Sequence, residues 1–328
     1  MRIGILGTGV VGARAARQVA TTSGVTEVLV HDRDTAAEHR TVNALAGAVR
    51  AVPLPALEGL DAVVVATPQP QAPQVHRLLA ARTPVVSTSD DWTDVESLLA
   101  LRATAERAEV PLVVGAAFAP GLTCLLTRYG ADHLDVLDEV YVSKHGTGGP
   151  ACARQHHGAL SRRGWSWRDG EWDEHLAGSG RELAWFPEPV GALDCYWAEL
   201  PDPLLLVPVL PGVQRIAARV SGTRRDRLTA RLPMLRPPHA EGGLGAVRVE
   251  LRGARAGARE TLVLASVERA GIAAGAVAAA AAVKVAAPRV RTGAFGLADP
   301  AVDSTAVLAD LARRGVKVHR FVGSSELP

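Results

Sequence analysis

Arg2-Ile3-Gly4-Ile5-Leu6-Gly7-Thr8-Gly9-Val10-Val11-Gly12 decides the fold. Its first five residues are an apolar run of strand length, and three glycines follow at once. A helical pattern then starts, with Val11, Ala15 and Val19 recurring on one face. In that setting each glycine has a separate task. Gly7 permits the tight turn, Gly9 lets a pyrophosphate approach the backbone, and Gly12 lets the helix pack close to the strand. The phosphates then sit on the free N–H groups at the helix N-terminus, which carries a partial positive charge. Working outward, a second apolar run, Glu27-Val28-Leu29-Val30-His31, ends in Asp32, about 20 residues past Gly12, where a carboxylate meets the adenosine ribose. A plain glycine turn would need none of the other parts. Strand, loop, helix and acid in register predict a bound dinucleotide.

The composition fits a protein of this class. A chain of 328 residues that is 48% apolar has room for about two domains with substantial cores. Its net charge of +2 comes from interspersed ions without a basic stripe, which argues against nucleic acid as a partner. Three cysteines, Cys124, Cys152 and Cys195, are odd in number and not at metal-ligand spacing, so reduced thiols in the cytoplasm are expected. The first strand opens at residue 2, so no cleaved signal segment is expected. The alanine-rich run from Ala273 to Ala287 is weakly apolar and broken by Lys284, which points to a packed helix and not a membrane span. Only Lys144, Lys284 and Lys317 are lysines, so each invites a question about its role.

Strand and helix patterns alternate through the first 120 residues or so, as in a doubly wound sheet. A weak strand lies near 49–52, a clear one at 61–66, a helix at 72–81, a strand at 84–88, a helix from about Thr93 to Glu109 and a strand at 112–115. Such a sheet is parallel, and its ligands bind outside the carboxyl ends of the strands. Those ends carry Gly7, Asp32, Thr67-Pro68, Ser87 to Asp91 and Phe118 to Gly121. From about residue 123 a helix leads into runs that alternate with period two, at 139–144, 247–252 and 261–267, the mark of a sheet with one buried face. The tryptophan-rich stretch 165–172 reads as a smaller hairpin turning at Asp169-Gly170. The fold class is α/β: an N-terminal Rossmann-type doubly wound parallel sheet and a second α+β domain on a largely antiparallel sheet. The dinucleotide-binding part is expected at 1–122 and the substrate and dimerisation part at 123–287. Residues 288–328, with a helix capped at Asp303 or Ser304 and ended by Gly315, are expected to pack back on the first part.

Four stretches together resemble the saccharopine dehydrogenase-like oxidoreductases, particularly their short bacterial members. They are the glycine loop, Val85 to Asp91, Ala117 to Leu122, and Gly271 to Ala287 with the closing Leu311 to Val316. The resemblance implies a homodimer that moves hydride between a nicotinamide and the C–N bond of an amino-acid-derived imine or amine. Residues 145 to 200, with Cys195-Tyr196-Trp197, depart from the family pattern in the region expected to shape the substrate pocket. A non-catalytic dinucleotide sensor and a dehydrogenase of sugars or aldehydes stand as alternatives.

For such chemistry the protein must supply position and manage one proton. Lys144 ends a strand just before Gly146-Thr147-Gly148-Gly149, where backbone can approach a ligand. A lysine desolvated near another cation falls from a pKa of about 10.4 toward neutrality and works as acid–base. A helix starting at Pro150 places Arg154, His157 and Ser161 on one face, with arginine suited to a substrate carboxylate and His157 a second acid–base candidate. His145, Gly148 and Trp165 complete the substrate list. The pair His156-His157 diverges by about 100° on a helix, so no metal is expected. The cofactor list comprises Gly7, Thr8, Gly9, Val10, Val11, Gly12, Asp32, Arg33, Thr67, Pro68, Ser87, Ser89, Asp90, Phe118, Pro120 and Gly121. One of Asp90 and Asp91 is expected to cap the following helix instead. Asp32 favours NAD by repelling a 2′-phosphate, while Arg33 and the nearby Arg40 leave NADP open.

Overall fold

In the computed structural model, which describes residues 1–234, 237–288 and 290–321, the branched apolar runs become the inner strands of a parallel sheet. Strand β1 (Arg2–Leu6) feeds helix α1 (Val10–Ala20), then β2 (Glu27–His31), α2 (Thr35–Ala44), β3 (Arg50–Ala51), β4 (Ala62–Val65), α3 (Ala72–Ala80) and β5 (Val85–Ser87). Helices α4 (Trp92–Leu99) and α5 (Arg102–Ala108) and strand β6 (Pro111–Val113) complete this part. Every residue of β4 is buried, as a strand covered on both faces requires. The single helix expected from Thr93 to Glu109 is two. Leu101 N–H bonds the Leu98 carbonyl three residues back, which tightens the turn, and both Leu98 and Ala105 then reach the core.

After α6 (Leu122–Ala131) the chain forms β7 (Val136–His145), α7 (Pro150–Ala159), β8 (Arg163–Arg168), β9 (Glu171–Leu176), β10 (Glu182–Trp185) and β11 (Ala192–Trp197). Then come α8 (Asp202–Leu206), β12 (Arg215–Ser221), α9 (Arg224–Thr229), β13 (Leu244–Arg255), β14 (Ala258–Arg269), α10 (Ala270–Val285), β15 (Gly293–Phe295), α11 (Ser304–Arg313) and β16 (His319–Phe321). The first sheet is parallel throughout, in the order β3-β2-β1-β4-β5-β6-β15. The second runs β10-β11-β12-β7-β13-β14-β16, with β8 and β9 branching from β12. Its β12–β7 pair is parallel and its other pairs are antiparallel.

The C-terminal half departs from expectation in two ways. Helix α10, expected to go with the second sheet, packs across α1 and behind β4 and β5. The reason is size: Gly271 and Gly275 let its backbone close on Val10 and Arg14, where an added Cβ would stand 2.5 and 2.6 Å from their side chains. A helix apolar on all sides also needs cover on all sides. The tail, expected to return to the first part, divides. Strand β15 extends the parallel sheet, whereas β16 pairs with β14 of the other. Arg289 and residues 322–328 of that segment lie outside the described residues.

Candidate active site

The glycine loop after β1 has the geometry that its spacing implies. Gly7 sits at φ +94°, and a Cβ there would stand 2.7 Å from the Ala66 carbonyl oxygen. A Cβ on Gly12 would fall 1.8 Å from the Gly7 carbonyl oxygen, so only glycine lets α1 begin this close to β1. Gly9 faces open space and is the N-cap of α1, with no capping side chain and no acidic residue in the first turn. The unpaired N–H groups therefore point into a cleft of about 1300 Å³ with the positive end of the helix behind them. These residues fit a pyrophosphate. At the end of β2, Asp32 Oδ2 accepts the Thr8 N–H at 2.5 Å and the Thr8 hydroxyl at 2.9 Å, while Oδ1 accepts the Asp34 N–H at 2.9 Å. Arg33 and Arg40 are exposed on the same wall. Across the cleft mouth, Arg14 of α1 pairs at 2.8 Å with Glu241, which precedes β13.

The second sheet brings Lys144 to the cleft. Strand periodicity turns Val140, Val142 and Lys144 to one face, so an ammonium is delivered to a position only 5% exposed. Its Nζ lies 3.6 Å from Asp90 Oδ2 and donates to the Ala119 carbonyl at 3.5 Å. The nearest charge is thus a carboxylate and not the second cation that the sequence reading invoked. Asp90 follows β5, and its Oδ1 accepts the Gln69 amide at 3.1 Å. Burial pushes the Asp90 carboxyl above its ordinary range, Lys144 opposes that rise, and Asp91 adds to it. The Ala119 carbonyl is aimed by a turn that demands glycine: at Gly121 (φ +117°) a Cβ would stand 2.4 Å from Ala117 N. Burial also pushes the Cys152 thiol to about 11, with Asp90 adding to the rise. Beside this pair His156 is held neutral. Burial first and Lys144 second bring its imidazole down to about 3, and its Nδ1 has no hydrogen-bond partner among the described residues. Deeper, Thr123 donates to Asp202 Oδ1 at 2.5 Å, and burial raises that carboxyl too.

Of the residues picked from sequence for the cofactor, Gly7 to Val11, Asp32, Arg33, Thr67, Pro68, Asp90 and Phe118 line the cleft, together with Lys144, Gly148 and Arg154. Others stand behind its wall. Gly12 lies beneath the loop. Ser87 donates to Gln71 Oε1 at 2.7 Å because its side chain falls on the face covered by α3, and Ser89 is also buried. Pro120 and Gly121 shape the turn. His145 faces away from Lys144 by the period of two, and its Nδ1 meets Ser221 Oγ at 2.7 Å. The expected face of α7 divides as well. Arg154 looks into the cleft, Ser161 donates to the Gly158 carbonyl, and His157 Nε2 lies 2.8 Å from the Leu232 carbonyl, outside the cleft. Trp165 does not reach the cleft lining. It stacks on Trp92 with centroids 6.0 Å apart, and Trp172 meets Trp92 edge-on, which pins the β8–β9 hairpin to the start of α4. Asp91 is the carboxylate that caps α4, by accepting the Asp94 N–H at 3.0 Å. Gln69, Cys152, Arg14 and Glu241 line the cleft without having been singled out. Cys152 alone had a visible signal, its place in the first turn of the helix that starts at Pro150.

No protein-family model matches the sequence, and no curated protein matches it. Solved structures do. Apo histidine-tagged saccharopine dehydrogenase (L-Glu forming) from Saccharomyces cerevisiae superposes with a TM-score of 0.74 at 14% identity, over 98% of this chain and 100% of that chain. GenD2 from gentamicin A biosynthesis, solved with NAD, gives 0.46 at 15% identity over 98% and 97%. The UDP-N-acetylglucosamine 3-dehydrogenase GnnA from Acidithiobacillus ferrooxidans gives 0.44 at 14% over 96% and 95%. The chain shares the fold of the yeast enzyme through nearly its whole length.

Proposed function

We propose that this protein is a nicotinamide-dependent oxidoreductase that moves hydride to or from the C–N bond of an amino-acid-derived small molecule. The observation that carries the reading is the Lys144–Asp90 pair, nearly buried, in the same cleft as the glycine loop. The fold shared with saccharopine dehydrogenase supports it. When bound, the nicotinamide supplies or accepts the hydride. The chain's own residues do the rest. The loop at Gly7 to Val11 holds the pyrophosphate on backbone N–H groups, and Asp32 receives a ribose hydroxyl on the lone pair left on Oδ1, which favours NAD over NADP. Arg154 is placed to receive a substrate carboxylate at the cleft rim. Lys144, an ammonium against a carboxylate, hands one proton to the reacting nitrogen in reduction and takes it back in oxidation.

The same reading has the chain working in the cytoplasm as a homodimer. Leu183 and Trp185, 54% and 60% exposed on the edge strand β10, support an interface, and sedimentation tests it. The decisive experiment follows NADH and NADPH oxidation with keto acid plus amine mixtures, and NAD+ and NADP+ reduction with amino acids and polyols. Turnover of the keto acid plus amine mixtures, with NADH bound more tightly, is expected. Turnover of polyols alone would overturn the C–N assignment, and cofactor binding without turnover would make the protein a sensor.

A further inference from the structure

A second and much smaller pocket shares the Lys144–Asp90 pair with the cleft but none of the glycine-loop residues. It is lined by Asp90, Lys144, Gln155, His156 and Glu199 with apolar Ala159, Leu200 and Val220. Its space of about 10 Å³ is at the lower limit for one water, and a buried water needs two to four polar partners to stay. The lining supplies them. His156 Nδ1 is closed to solvent and has no partner among the described residues. Gln155 is fixed by donating to Asp91 Oδ2 at 2.8 Å, and Glu199 is fixed by accepting from Arg162 at 2.7 Å. Arg162, 42% exposed, is where this chain of contacts meets bulk solvent.

We propose that this pocket holds one ordered water, and that the water and Glu199 form a rear proton path between Lys144 and the outside. The inference rests on the acid–base reading of Lys144. A front route is closed during turnover, because the cleft that opens on Lys144 is the one cofactor and substrate fill. In the reductive direction Lys144 Nζ loses one proton to the substrate nitrogen. The water passes one of its protons to the neutral Nζ and takes in return a proton that the Glu199 carboxylate relays from solvent beside Arg162. One proton enters for each one delivered, and no electrons move on this path. His156, neutral, orients the water and does not touch the substrate, so it is a positioning residue.

The test has two arms that fail separately. A high-resolution crystal structure of the intact protein is expected to show one water within hydrogen-bond distance of His156 Nδ1 and Glu199; a dry pocket there overturns the proposal whether or not the protein turns anything over. In an active preparation, Glu199→Gln keeps shape and the bond to Arg162 but carries no proton. It is expected to lower kcat by about 100-fold, the lower end for proton-transfer catalysis, with KM and dinucleotide Kd unchanged. The solvent deuterium isotope effect on kcat should rise, and formate added to Glu199→Ala should restore part of the rate. His156→Phe, which fills the pocket, should share the rate loss and the isotope effect. A Glu199→Gln enzyme with wild-type kcat and isotope effect refutes the path, whereas absence of turnover in the wild type refutes the oxidoreductase reading and leaves the crystallographic arm to decide the water.

Discussion

Lys144→Met keeps the length and apolar stem of the side chain while removing its charge. At 3.6 Å and an effective dielectric of about 20, the Lys144–Asp90 attraction is about 5 kcal/mol, most of it offset by the desolvation of both ions. Removal of one partner exposes that hidden term. The ionised Asp90 carboxylate is left nearly buried and unpaired, which costs about 3–5 kcal/mol. Asp90 has an escape, which is to take a proton. Its folded-state pKa is already raised by burial, and Lys144 is the largest opposing influence, so the variant raises it further. A raised folded pKa means that stability is fully present below the unfolded value of about 3.9 and is lost as pH climbs through the folded one. The deficit of Lys144→Met should therefore be greatest near pH 8 and shrink toward pH 5. With an unfolding entropy of about 2.1 cal/mol/K per residue over 328 residues, a deficit of 3–5 kcal/mol lowers Tm by about 4–7 °C at pH 8. Calorimetry of Lys144→Met, Asp90→Asn and the double variant at both pH values reads this directly. The double variant should regain most of the loss, because no buried charge remains. Equal destabilisation at pH 5 and pH 8, or a double variant no better than Lys144→Met, would refute the coupled-pair argument.

Kinetics test the same residue from the chemical side: Lys144→Ala should lower kcat by roughly 100- to 10,000-fold while dinucleotide Kd barely moves. Lys144→Arg should be nearly as slow, since a guanidinium stays protonated; an arginine enzyme that lost only in KM would make Lys144 a carboxylate binder. Gly12→Ala places a Cβ 1.8 Å from the Gly7 carbonyl and must push α1 off β1, so titration calorimetry should find dinucleotide binding about tenfold weaker or worse. With its thiol pushed to about 11, Cys152 should react with iodoacetamide about two orders of magnitude more slowly than an ordinary cysteine at neutral pH, and mass spectrometry after timed quenching would show it. Rapid labelling of Cys152 in the folded protein would contradict the raised thiol.

The parallel sheet was legible because its signals are local. Period, glycine spacing and the acid after β2 are all properties of neighbours in the chain, and steric rules leave few ways to satisfy them. The helix starting at Pro150, the Asp169-Gly170 turn and the cap at Asp303 were visible for the same reason. Lys144 stood out by rarity and by its place before a glycine run. The break between α4 and α5 was not visible, because Ala100 and Leu101 carry no breaker and only the packing of Leu98 and Ala105 requires the bend.

By itself, the sequence determined most strands and helices of the first 120 residues, that a glycine loop of dinucleotide-binding pattern opens the chain, and that a second sheet built on β7, β13 and β14 follows. Strands β10, β11, β12, β15 and β16 carried no local pattern that marked them. It could not determine which side chains meet across sheets. Asp90 and Lys144 are 54 positions apart and His156 a further 12, and their meeting depends on where α7 and β7 dock against the end of β5. The same docking turned His157 and Trp165 away from the cleft and brought His156 beside Lys144. A two-residue difference in helix phase, or one step along a strand, reverses the direction of a side chain. Local pattern gives the phase of each element, but the burial of apolar surface over the whole molecule selects the partner that each face receives.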